Sequence, residues 1–176
     1  MSHYAFAQTF STLYDKAVVL YASDQRGADT YFTADESAWL SSNGITSQYL
    51  YDYAEDQTNY GEPGYDIALG VELVRRDYFV NVQHGKPTGK IADPSTWPAK
   101  DAAIQGIVWL PRILPKARAK LLGELPSSMM YDCGGDRKFF KAHDINPVEF
   151  LSLVWRNFAD DQAIIDWVVK RSAAKA

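Results

Sequence analysis

A mainly α fold is predicted, as a compact multi-helix domain with two helical lobes joined by a Pro-rich connection and at most one small hairpin. Three observations predict it: apolar side chains recur at helical spacing along most of the chain, capping boxes stand at helix entries, and alternating runs of strand type are missing. Phe6, Phe10, Leu13, Ala17 and Leu20 share one face, so the first helix covers about 4–22, with Ser2 as its cap. Thr33 and Glu36 form a capping box that opens a second helix through Trp39 and Leu40, and Asn43-Gly44 supplies its stop. Thr46 caps a third helix carrying Tyr49, Leu50 and Tyr53, with Ile45 and Leu50 in the positions of a hydrophobic staple and Gly61 at its end.

From Asp66 the apolar residues Ile67, Val71, Val74, Tyr78 and Val82 keep helical spacing and predict a buried central helix. The β-branched stretch Tyr78 to Val82 also fits a strand, but no turn signal separates it from the helical pattern. Pro87, Pro94 and Pro98 then mark a surface connection. Pro111 opens a helix that reaches Leu121 and stops at Gly123, with Pro115 kinking it or restarting it. A turn or weak hairpin is expected at Met129-Met130, followed by a helix from Asp136 to about His143. Asn146-Pro147-Val148-Glu149 reads as a capping box for a helix bearing Phe150, Leu151, Val154 and Phe158. A last helix starts near Asp160 or Asp161, buries Ile164, Ile165, Val168 and Val169, and is expected to fray from Ser172. The whole chain, 1–176, is read as one domain, with an N-terminal lobe at about 1–84, the connection at about 85–106 and a C-terminal lobe at about 107–172.

With 47% hydrophobic residues in 176, the chain has enough apolar surface to offset the entropy of ordering it. A formal net charge of -4 argues against a nucleic-acid partner, because a phosphate backbone is repelled unless the basic residues gather on one face. The single cysteine, Cys133, excludes an internal disulfide and fits a reducing, cytoplasmic compartment. No leader pattern and no apolar run of spanning length is present, so no membrane partner is expected. The three histidines lie at 3, 84 and 143 without zinc or calcium spacing, so neither a metal nor a cofactor is expected. His143 is read as a helix-end residue that favours the dipole when protonated.

Chemistry concentrates in a few places. Cys133-Gly134-Gly135-Asp136-Arg137 combines a diglycine turn with a helix start whose N–H groups favour an anion, and Arg137 stands ready to close over it. In the bland reading it is a tight turn with Asp136 as an ordinary cap. Cys133 is a candidate nucleophile, since a helix N-terminus and a neighbouring arginine favour a thiolate, although buried packing explains most free cysteines. Arg112, Lys116 and Lys120 recur every four residues as a basic stripe, which reads as a solvated face. The functional version sets Arg112 beside Trp109 to frame an anionic or aromatic ligand. Arg75, Arg76 and Asp77 interrupt an otherwise hydrophobic helix, as a buried ion pair or as the wall of a pocket. Tyr49, Tyr51, Tyr53 and Tyr60 form an aromatic group suited to a groove, with Tyr49 and Tyr53 also explained by core packing.

Val74-Arg75-Arg76-Asp77-Tyr78-Phe79, Gly106 to Ile113, Lys116 to Leu121 and the Cys133 to Arg137 turn together resemble a family of uncharacterised bacterial proteins, a domain of unknown function, over nearly the whole chain. The resemblance implies a small soluble bacterial protein with no assigned reaction, cofactor or catalytic residue.

The residues themselves favour a small anionic metabolite bound in an Arg-lined pocket. Arg75, Arg76, Trp109, Arg112, Lys116, Gly134, Gly135 and Arg137 are the binding candidates, and Asp136, Asp77 and Cys133 the groups able to act on a ligand. Whether a reaction is catalysed, and the oligomeric state, stay open. The alternative is a non-catalytic helical adaptor that uses exposed Tyr and Trp as interface anchors.

Overall fold

The computed structural model describes residues 3–175, with side chains over 4–174. Ser2, the expected cap of the first helix, lies outside the described residues. Eight α-helices and one two-stranded hairpin are found among them, in two compact units, Met1–Lys86 and Pro87–Ala176.

In the N-terminal unit α1 (His3–Ala22) packs on α3 (Ser47–Tyr60). Phe6, Phe10, Leu13 and Ala17 of α1 are buried, as are Tyr49, Leu50, Tyr53 and Ala54 of α3. Burying each large side chain of this set stabilises the unit by about 1.5–3 kcal/mol before entropy is counted. Polar tips of the same aromatic residues tie the two helices: the Tyr14 hydroxyl lies 3.3 Å from Gln57 Oε1, and that of Tyr21 donates to Glu55 Oε1 at 2.8 Å. Between them, α2 (Ala34–Ser42) opens on the complete capping box of Thr33 and Glu36, and Glu36 also receives Lys16 Nζ at 2.6 Å. The lysine and the helix-entry hydrogen bonds hold the Glu36 carboxyl below its ordinary pKa. A short 3-10 turn at Ala28–Thr30 was not expected from the sequence.

α4 (Tyr65–Asn81) runs helical through Tyr78 and Phe79 and takes Val82 as its C-cap, so the strand reading of this stretch is excluded. Its buried face differs from the expected one. Ala68, Val71, Glu72, Arg75, Arg76, Tyr78 and Phe79 turn inward, whereas Val82 is 45% exposed. The hydrophobic stripe and the charged residues compete for the interior, and the charged residues are enclosed because each has polar or aromatic company there.

The C-terminal unit begins with an extended segment interrupted by a 3-10 turn at Pro94–Thr96. The hairpin lies at β1 (Ala103–Ile104) and β2 (Ile107–Val108), not at Met129-Met130, where the chain only turns. Gln105 and Gly106 both take positive φ, 49° and 79°, the geometry that two-residue hairpin loops require. α5 (Leu110–Leu122) follows, with Pro111 in its first turn, Pro115 inside it and Gly123 as a left-handed C-cap. α6 spans Gly134–Ala142, α7 Pro147–Arg156 and α8 Asp161–Lys175. Asn146 caps α7 through Val148, but the reciprocal arm expected from Glu149 is not made; that carboxylate lies 3.7 Å from Arg171 instead. α8 stays helical through Lys175, so the expected fraying from Ser172 does not occur; Ser172 is fixed by bonds to Val168 and His143. The core of this unit combines Leu110, Ile113, Ala117 and Leu121 with Phe139, Phe140, Phe150, Val154, Ile164 and Val168.

Gly44 ends α2 at φ 73°, and a Cβ there would stand 2.6 Å from Cγ of Phe79 on α4. Gly44→Ala is therefore expected to lose about 2–5 kcal/mol, the sum of left-handed strain and overpacking. Urea melts would show it as a lower midpoint at unchanged slope.

Candidate functional site

The helix α5 carries Lys116 and Lys120 four residues apart, hence on one face. Both are buried, at 3% and 2% exposure, so the stripe expected to be solvated is an interior feature. A lysine is enclosed only when its ammonium is matched, and Lys116 is matched by Asp136, whose Oδ2 lies 2.6 Å from Nζ. Asp136 is fully buried and accepts two further donors, the Asp132 backbone N–H at 2.9 Å on Oδ2 and the Trp109 indole Nε1 at 2.9 Å on Oδ1. Three donors on one carboxylate supply the hydrogen bonds that an ionised group needs away from water. This role replaces the expected one. α6 begins at Gly134 with Cys133 as N-cap, two residues earlier than predicted, and Asp136 is not the cap but the centre of a buried ion pair.

Two non-glycine residues in the left-handed region hold this arrangement. Trp109, the N-cap of α5, has φ 75° and ψ -25°, and Asp132 has φ 68°. For a residue as bulky as tryptophan such a backbone is an outlier that persists only where its surroundings enforce it. Here the hairpin delivers it, with Trp109 N–H bonded to Ala102 O at 3.1 Å, and the indole is held at its far end by Asp136. The indole packs closely against Gly135, where a Cβ would stand 2.7 Å from Cζ2 of the ring.

Around this centre, Lys116 Nζ also reaches Cys133 Sγ at 3.2 Å, and Arg137 donates to Asp132 O at 2.6 Å. Cys133 is half-exposed and Gly134 exposed, whereas Asp132, Asp136 and Arg137 are buried. Burial, followed by the negative charges of Asp132 and Asp136, raises the Tyr131 hydroxyl well above its ordinary pKa, and the group donates to Pro147 O. The N-cap Cys133 makes no side-chain capping bond to α6, whose first turn begins at exposed Gly134 and half-buried Gly135.

Of the residues singled out from the sequence, Trp109, Lys116, Cys133, Gly134, Gly135, Asp136 and Arg137 are thus assembled in one place. Arg112 is not among them. It donates to Pro98 O at 2.7 Å and sits over Trp97 instead of framing a ligand with Trp109. Asp132 and the burial of Lys120 escape sequence reasoning, because a lone aspartate before a cysteine and a lysine on a helix face carry no signal of burial.

Arg75, Arg76 and Asp77 belong to the N-terminal unit and form a network there. Arg76 is 8% exposed, bonded through Nε to Asn43 Oδ1 at 2.8 Å and 3.4 Å from Asp77. Arg75 is 2% exposed, donates to Gln83 Oε1 at 2.7 Å and leaves its Nε without a hydrogen-bond acceptor. Burial lowers its pKa, opposed by Tyr49, Glu72 and Tyr78. Glu72, wholly buried, accepts the Tyr53 hydroxyl at 2.7 Å. Both arginines are therefore interior residues. Tyr49 and Tyr53 are core, Tyr51 meets Tyr21 edge-on and Tyr31 at a tilt, and of the four tyrosines only Tyr60, at 71%, is strongly exposed.

Among the described residues no three His, Cys, Asp or Glu side chains gather as metal ligands, and no helix is long and apolar enough to cross a membrane. Residues 99–176 match a family described as a domain of unknown function, DUF5069. The stretch holds the hairpin, α5 to α8 and the whole Asp136 cluster; the Val74 to Phe79 segment lies outside it. Neither curated proteins nor solved structures give a match.

Asp136→Asn leaves the Lys116 ammonium enclosed without its counter-charge, and a loss of about 3–5 kcal/mol is expected. Chemical denaturation of this variant beside the double variant Lys116→Met/Asp136→Asn checks it: removing both charges is expected to destabilise less than removing Asp136 alone.

Proposed function

We propose that the protein is a cytoplasmic binder of a small anionic metabolite, and that the anion is received at the start of α6. The observation that carries this reading is the uncapped first turn of α6, opening on exposed Gly134 beside the buried Lys116 ammonium. Helix N-terminal N–H groups and the dipole behind them favour a carboxylate or phosphate oxygen. The charge balance has the right sign: among the described residues of this unit, the buried charged side chains are Lys116, Lys120 and Arg137 beside Asp132 and Asp136. Backbone strain at Trp109 and Asp132 collects at the same place, as it does at ligand sites. Trp109, Lys116, Gly134, Gly135 and Arg137 are the binding residues of this proposal. Among the three candidates for chemistry, Asp136 is held by its three donors and Asp77 pairs with Arg76, which leaves Cys133, half-exposed at the helix entrance, as the group facing a ligand. Arg75, Arg76 and Arg112 serve internal contacts and stand outside it.

The adaptor reading retains one support. A shallow groove of about 460 Å³ in the N-terminal unit is lined by Tyr14, Val18, Val19 and Tyr65, and Val19 is 66% exposed. Burial, and then the Asp15 carboxylate that also lines the groove, raise the Tyr14 hydroxyl in its wall to about 12. The tyrosines that would anchor an adaptor's partner are mostly interior, so the anion reading is preferred.

Thermal melts with phosphate, sulfate and short dicarboxylates test it. An anion at a hundredfold excess over its Kd stabilises by about 2.7 kcal/mol. Gly134→Asp puts a carboxylate at the receiving position, where a Cβ meets nothing nearer than Arg137 Nη2 at 3.7 Å. The wild type is expected to gain melting temperature with at least one of these anions and Gly134→Asp to gain none. A wild type indifferent to all of them, or a variant that responds equally, refutes the proposal.

A further inference from the structure

The contact between Lys116 and Cys133 has a chemistry of its own, independent of whether an anion binds at α6. The chain has one cysteine, so oxidation of its sulfur cannot end in an internal disulfide. What stands 3.2 Å from Sγ is an amine, and the amine stands 2.6 Å from a carboxylate that can take its proton. Cys133 is half-exposed as a residue, so a small oxidant has a route to it from solvent, while Lys116 is 3% exposed and shielded from other electrophiles. We propose that the Lys116–Cys133 pair is an oxidative modification site, at which a hydroperoxide converts the contact into a covalent sulfur–nitrogen bridge between α5 and the entrance of α6.

The reaction balances with groups in place. In the first step the Cys133 sulfur attacks the hydroperoxide; an S–O bond forms, the O–O bond breaks, and the thiol proton leaves with water, or with the alcohol of an alkyl hydroperoxide. Sulfur is oxidised by two electrons to the sulfenic acid and the peroxide is reduced by two. Sulfenic acids condense with nitrogen, and the backbone nitrogen is the usual partner; here a side-chain amine is already in contact. In the second step Lys116 gives one proton to Asp136 Oδ2 and its nitrogen attacks sulfur. The S–N bond forms, the S–O bond breaks, and the hydroxyl leaves as water with the second nitrogen proton. The products are a sulfenamide, water and a protonated Asp136, with no net change in oxidation level after the first step.

Electrostatics favour this end point over a persistent sulfenic acid. The bridge removes the ammonium charge and the transferred proton removes the carboxylate charge, so the interior is left with neither group bare. The Trp109 and Asp132 donors still find oxygen lone pairs on the protonated Asp136. A thiol reductant attacks the bridge at sulfur and restores both side chains, which makes the modification reversible.

The test uses the full chain. Reduced protein is exposed to a small excess of hydrogen peroxide, its intact mass is recorded, and it is then treated with dithiothreitol. The expected product is two hydrogens lighter than the starting protein and returns to the starting mass on reduction. Peptide mapping without reduction is expected to join the segment containing Lys116 to the one containing Cys133. Lys116→Arg, which keeps a cation beside Asp136 but cannot form the bridge, is expected to stop at a dimedone-reactive sulfenic acid and pass on to the sulfinic acid. The proposal is overturned if the wild type retains an added oxygen, or if mapping places the new bond between Cys133 and the Gly134 backbone nitrogen. Loss of two hydrogens from Lys116→Arg at the wild-type rate overturns it equally. Mapping is done on the wild type, so the bridge is located or refuted whether or not the variant folds.

Discussion

The ion pair between Lys116 and Asp136 is the constraint around which the C-terminal unit is arranged. Two charges withdrawn from water are tolerable only if hydrogen bonds from other groups supplement their mutual attraction. The unit meets that condition with donors from separate stretches of chain: the indole at the N-cap of α5, the lysine further along the same helix, and a backbone N–H just ahead of α6. Each donor fixes a piece of architecture. The indole requires Trp109 to be presented at the helix entrance, the backbone donor requires the left-handed turn at Asp132, and the lysine sets which face of α5 points inward. Local strain at two residues is thereby exchanged for an Asp136 carboxylate with donors on both oxygens.

The N-terminal unit treats its buried charges differently. Arg76 is divided between a neutral amide, a neighbouring carboxylate and an aromatic face, with Phe6 5.2 Å from the guanidinium carbon. Arg75 relies on one glutamine and on the ring of Phe79 at 5.1 Å, while Glu72 accepts a tyrosine hydroxyl on Oε1. These contacts spread charge over polarizable and neutral partners, which costs less geometric precision than a close ion pair and yields less specific geometry.

Helices are readable from the sequence because their signals are local. Thr33, Thr46 and Asn146 cap where they are expected to, and the face of α1 follows from the spacing of Phe6, Phe10, Leu13 and Ala17. The failures share a cause, which is that burial of a polar residue is decided by partners distant in sequence. The interior position of Lys116 depends on Asp136, and that of Arg76 on Asn43. The hairpin at Gln105-Gly106 is illegible because its strands are two residues each, too short for alternation to register. The residues near Asp136 are recognisable by type, through the diglycine and its flanking charges. Their roles are not, since a helix-entry aspartate looks the same whether it caps its own helix or turns inward to a lysine.

The close approach of the Trp109 ring to Gly135 has a consequence for how related chains diverge. With no room for even a methyl group between ring and backbone, the two positions are coupled sterically, although they lie at different helices. A chain that replaces the glycine has to give up the indole's place, and with it one of the donors to the aspartate. A chain that replaces the tryptophan frees the glycine from its constraint but leaves a carboxylate oxygen to be satisfied by something else. Substitutions at 109, 135 and 136 are thus expected to travel together, as a single inherited unit.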